Sequence, residues 1–186
     1  VGLQNIQLST DWRKYTIPIP DPSKLVQEKG MFLFSAGSAS TGGMGYTFWI
    51  DELKFEYLGT IGQVRPFING GLDTSGAAFV GQNLSITGVG VTSNLGNGQD
   101  VSVTASPNYF TFSSSNSNVA IADGSQVSLV GEGATIITAK LGNTDVAGSL
   151  NVSSIGLAPT PTLDPENVIS VFSDAYINRP VDYFNG

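Results

Sequence analysis

The side chains of this chain that could do chemistry are a few aromatic rings and a few carboxylates, because its 186 residues include no His and no Cys. That composition removes thiol nucleophiles, imidazole bases, Ser-His-Asp arrangements and zinc held by His or Cys. Two acids that hydrolyse a glycosidic bond must face each other across a gap of about 5–10 Å. Asp51 and Glu52 are neighbours on one strand and point to opposite faces, while Asp164 and Glu166 fall in a proline-rich linker. Neither set forms such a pair, and the chain reads as a non-enzyme. The glycine-rich stretch 81–98 lacks the Lys and the strand-to-helix context of a phosphate loop.

The rings are the better candidates. Flat aromatic faces stack on the apolar C–H face of a pyranose, and such rings dominate contact energies where they are exposed. Trp12, Tyr15, Tyr46 and Trp49 could serve a sugar in this way, although aromatics on alternating strands more often pack a core. Trp49 is the first choice to face a ligand, because Tyr46, Phe48 and Ile50 share the other parity of its strand. That strand, 46–57, changes phase: Leu53, Phe55 and Tyr57 follow Trp49 rather than Tyr46. A one-residue slip turns every side chain over, so a bulge or bend at Asp51-Glu52 keeps both apolar sets inward. In a straight strand Asp51 is buried instead, which is costly unless the carboxylate is paired or holds a cation.

The elements that must position these residues are strands. Hydrophobic period is two nearly throughout, with glycine, asparagine and serine between short apolar runs. Only Ser23–Lys29, after Pro18, Pro20 and Pro22, has helical composition. The fold class expected is all-β: a β-sandwich with further sandwich segments at both ends. Residues 1–59 form a first piece, with strands at Tyr15–Ile19, Met31–Phe34 and Tyr46–Tyr57. Residues 60–72 read as a linker. From 73 to 154 the pairs Leu84/Ile86, Val89/Val91, Val101/Val103, Phe110/Phe112, Val119/Ile121, Val127/Leu129, Ala134/Ile136 and Leu150/Val152 mark short strands. Turn signals at Gly96-Asn97-Gly98, Asp123-Gly124 and Gly142-Asn143 separate them. That spacing is the pattern of an immunoglobulin-type sandwich. Residues 155–165 make a stiff proline-rich linker, and 166–186 offer one strand, Val168–Phe172. A lone strand cannot bury its own faces, so the chain reads as a window on a longer tandem protein.

Charge limits the partners. Residues 1–65 balance six basic against six acidic side chains, whereas 66–186 hold two basic and nine acidic and carry the whole net −7. No positive charge lies between Arg65 and Lys140, so phosphate neutralisation of the kind nucleic acids require is not expected there. No apolar stretch approaches the ~18 residues of a membrane-spanning helix. No basic region followed by an apolar run, as in a signal peptide, is present. Low charge with abundant Ser, Thr, Asn and Gly leans extracellular.

Two resemblances refine this picture. Phe112-Ser-Ser-Ser-Asn116, Asn118-Val-Ala-Ile-Ala122, Val127-Ser-Leu-Val-Gly-Glu-Gly133 and Ala134-Thr-Ile-Ile-Thr-Ala139 resemble the bacterial immunoglobulin-like domain, group 2, over about 80 residues, with Phe112 near that family's usual Trp. Trp12-Arg-Lys-Tyr-Thr-Ile-Pro-Ile19 and Tyr46-Thr-Phe-Trp-Ile-Asp-Glu-Leu-Lys-Phe55 look like the later half of a galactose-binding-like jelly roll, as in carbohydrate-binding modules. Val168–Tyr176 looks like the first strand of another copy. The combination is similar to multidomain secreted proteins of Bacteroidota. It implies a secreted or cell-surface spacer with glycan-binding or adhesion modules, whose partners are a polysaccharide or surface glycan and the neighbouring modules. It also implies a structural calcium, to which Asp51, and Asp174 in its own module, would each contribute one carboxylate of the six to eight oxygens needed. The alternatives are a surface-layer stalk or adhesin without a sugar site, and an accessory region of a glycoside hydrolase whose catalytic part lies elsewhere.

Overall fold

A computed structural model describes residues 1–26, 30, 32–57 and 61–159. The protein is all-β among these residues, with eleven strands and helical structure limited to four three-residue 3-10 turns. The strands are β1 (Gly62–Phe67), β2 (Asp73–Ala78), β3 (Asn83–Ser85), β4 (Gly90–Asn94), β5 (Asp100–Thr104), β6 (Thr111–Ser114), β7 (Ala120–Asp123), β8 (Gln126–Leu129), β9 (Gly133–Leu141), β10 (Thr144–Asp145) and β11 (Ser149–Ser154). They form sheets in the orders β1-β4-β5, β3-β8-β7 and β10-β9-β11-β2, with β6 on the other side of β9.

Alternation builds the core. β9 turns Thr135, Ile137, Ala139 and Leu141 inward and Ala134, Ile136, Thr138 and Lys140 outward. β11 adds Leu150 and Val152, β8 adds Val127 and Leu129, and Val91 and Val103 come from β4 and β5. These residues belong to one apolar cluster, so the three sheets close over a single interior. Ser93, Thr135 and Ser154 are the buried polar residues among the described ones; the Thr135 hydroxyl accepts from the Asn116 amide at 2.8 Å and pairs with the hydroxyls of Ser114 and Ser115. The three expected turns join β4 to β5, β7 to β8 and β9 to β10.

Several expectations are corrected. The stretch 60–72 is not a plain linker: it contains β1, paired with β4, and Ile68 has no exposed surface. The pairs Val119/Ile121 and Ala134/Ile136 do not both face inward. Ile121 and Ile136 are exposed while Ala120, Thr135 and Ile137 are buried, because the neighbouring β-branched or small residue fits the interior as well. In place of a helix at Ser23–Lys29, Pro22–Lys24 makes one 3-10 turn capped by the Asp21 carboxylate, and residues 27–29 lie outside the described residues. Among the described residues of the first piece, the expected strands form no ladder; one bridge, Gly2 to Thr104, ties it to β5. The reason is pairing, since an apolar run becomes a strand only when a neighbour takes its backbone groups. Residues 160–186, with Val168–Phe172, lie outside the described residues.

The register fixes where the chain enters and leaves. Phe67, at the end of β1, lies parallel to Ala147, and the chain runs on in that direction through β11 to Ser154. Gly62 is five residues before that level (67 − 62) and Ser154 seven beyond it (154 − 147). At ~3.3 Å per strand residue, less the register irregularity between Gly62 and Arg65, the two points are roughly 35 Å apart, at opposite ends.

Candidate functional site

Trp12 and Trp49 present most of their surface to solvent, 73% and 74%. Tyr46 is 40% exposed and is held from both ends: its hydroxyl donates to the Gly37 carbonyl at 3.2 Å, and its ring lies 6.2 Å from that of Phe48. Phe48 in turn stacks obliquely on Phe34 at 4.5 Å between centroids. Such tilted pairs suit the quadrupoles of the rings.

Tyr46 lines a cavity of about 830 Å³ with Phe32, Phe34, Phe55 and, from beyond β5, Tyr109. Trp12 and Trp49 are not among its lining residues. The structure therefore separates the three rings: Tyr46 lines a solvent-open cavity, and both indoles lie outside it. The cavity wall contributed by Phe34 and Tyr109 was not read from the sequence. Pro107-Asn108-Tyr109, a 3-10 turn capped by the Ser106 hydroxyl, was the signal that could have pointed to Tyr109.

A small charge network joins the two segments that carry the indoles. Lys14, two residues after Trp12, approaches Glu56 at 3.3 Å, and Lys54 does so at 2.9 Å. The hydrogen bond from Lys54, and then that from Lys14, holds the Glu56 carboxyl below its ordinary range; the Glu56 bond raises Lys54 in return. All three groups are solvated, so the network aligns the segments more than it stabilises them.

Asp51 is exposed, not buried, and its Oδ1 accepts the Glu52 amide at 2.7 Å. Glu52 has φ +52°, yet the turn there does not bring both apolar sets inward as expected, since Ile50, Leu53, Phe55 and Tyr57 are exposed. Lys54 pairs with Glu56 rather than with Asp51. No group of three potential metal ligands occurs among the described residues, so Asp51 supplies at most one oxygen donor group of a calcium site there. Asp174 lies outside the described residues.

No protein-family model matches the chain, and no curated protein matches it.

Proposed function

We propose that this chain is a non-catalytic segment of a secreted or cell-surface multidomain protein, in which an immunoglobulin-like sandwich spaces glycan-binding modules of jelly-roll type. The observation that carries the spacer reading is directional. A unit whose first strand begins at Gly62 and whose last strand ends at Ser154, at opposite ends, adds its length to the separation of whatever those ends lead to. The exposed faces of Trp49 and Trp12 support the sugar reading, since solvated indoles are what stacking on a pyranose needs. A polysaccharide or surface glycan would be the ligand, with weak single contacts raised by tandem copies through effective concentration. A structural calcium would take Asp51 as one of its ligands and, from the equivalent module, Asp174.

A second reading has its own support. Trp12, Trp49 and Tyr46 do not line a common cavity, which suits a stalk that makes protein contacts and holds no sugar. Affinity electrophoresis of the chain through gels containing polysaccharides, with and without a calcium chelator, separates the two. Retardation that Trp49→Ala abolishes, at unchanged circular dichroism, upholds the glycan site. Retardation that Trp49→Ala leaves intact places any sugar contact away from Trp49, and none on any polysaccharide favours the stalk.

A further inference from the structure

We propose that this unit bears mechanical load, and that the parallel pair β2–β11 is the clamp that resists it. Parallel strands are the uncommon arrangement in a sheet built mostly of antiparallel hairpins, and here they join strands near the two ends of the unit. β2 and β11 pair over six residues, from Asp73 beside Ser149 to Ala78 beside Ser154. Tension on the flanking chain meets β1 and its ladder with β4 first; once β1 is drawn off, it pulls β2 from its Asp73 end and β11 from its Ser154 end, in opposite directions along the strand axis. The hydrogen bonds of a parallel pair are evenly spaced and cross between the strands at a slant, so this load shears all of them together instead of opening them one at a time.

Side chains reinforce the same seam. The Ser149 hydroxyl donates to Asp73 at 2.8 Å, and the Asn151 amide donates to the Thr74 carbonyl at 3.1 Å. The Thr74 hydroxyl and the Asn69 amide both donate to the Ser149 carbonyl, at 3.2 and 3.0 Å. Beyond the strands the Ile155 amide still reaches the Ala78 carbonyl, and the Val80 amide reaches the Gly156 carbonyl at 2.7 Å. Buried apolar contacts of Leu150 and Val152 back the clamp from the core side.

The source of the load rests on the spacer reading above; the resistance belongs to the fold and is read with no glycan or partner present. The experiment pulls the full chain in two geometries. The chain contains no Cys, so handles can be placed at will. Pulled through its two termini, the protein loads the clamp in shear. Pulled through handles on Ala77→Cys and Ser153→Cys, which are facing and exposed residues, the same folded protein opens the ladder from one end. Forced unfolding reports the unfolding barrier. The expected unfolding force is at least twofold higher through the termini, and Asn151→Ala lowers it in that geometry only. Equal forces in the two geometries, or an Asn151→Ala effect of the same size in both, overturn the proposal.

Discussion

Asn69 offers the sharpest test of how the unit is held together. Its side chain donates to the Thr74 hydroxyl at 2.9 Å and to the Ser149 carbonyl at 3.0 Å, and accepts from the Thr87 amide at 3.3 Å. Two residues after β1 it therefore ties β2, β11 and the approach to β4. Its backbone sits at φ +51°, where Asn is tolerated and most side chains are strained. Asn69→Ala removes three hydrogen bonds, two of them part-buried and one exposed, each worth about 0.5–1.5 kcal/mol. The Ser149 carbonyl keeps the Thr74 hydroxyl, so roughly 2–3 kcal/mol is lost from bonding. Left-handed strain at alanine adds about 1 kcal/mol. A loss of about 3–4 kcal/mol compares with roughly 5–14 kcal/mol for a unit of this size. At an m-value of about 2 kcal/mol/M the urea midpoint falls by about 1.5–2 M. Both tryptophans lie outside 62–154, so circular dichroism, not tryptophan emission, must follow the transition. Asn69→Gly relieves the strain and, after the greater freedom of glycine in the unfolded chain, is milder than alanine by about 0.5 kcal/mol. A shift under about 0.5 M for Asn69→Ala, or a glycine variant clearly worse than alanine, refutes this account.

Acid should weaken the β1-β4-β5 sheet through Asp100. Its carboxyl is held below the ordinary range first by the Asn94 amide and then by the ion pair with Arg65. The stabilisation is thus complete above the free carboxylate range and is lost as pH falls through the lowered folded value; the midpoint gap between the protein and Asn94→Ala, measured by urea titration, should be full at neutral pH and narrow below pH ~4, and a gap independent of pH contradicts this. Gly148 has φ +88°, and a β-carbon there would run into the Ile68 carbonyl oxygen. Gly148→Ala should cost more than about 3 kcal/mol, and a variant as stable as the parent in the same titration shows that the β1–β11 junction is looser than drawn.

The interior of 73–154 was largely legible because period-two patterning and glycine turns act locally. Gly142-Asn143 and Asp123-Gly124 mark their hairpins without help from distant residues. Where two adjacent residues were both apolar, local pattern could not choose the face. At Ile136-Ile137 the choice is made by Asn151 and Leu150 on the neighbouring strand, not by either isoleucine. The role of 60–72 was hidden for a related reason: β1 contains Arg65 and Pro66 and is recognised only through its partner β4. Nothing near Asn69 in sequence reveals its contact with Ser149, eighty positions on. At the candidate site the backbone turns at Glu52, but the apolar sets that the phase slip was expected to turn inward are exposed, Ile50, Leu53, Phe55 and Tyr57 among them, because 46–57 pairs with no strand among the described residues.

The claim on which the spacer account turns is geometric: the chain enters and leaves the unit at opposite ends. Spin labels on Gly62→Cys and Ile155→Cys, both exposed positions in a protein with no other Cys, report it directly. Pulsed dipolar spectroscopy should give one narrow distribution centred at about 35–40 Å, as the strand register requires. A distance below about 25 Å would place both ends of the unit on one side and contradict the account.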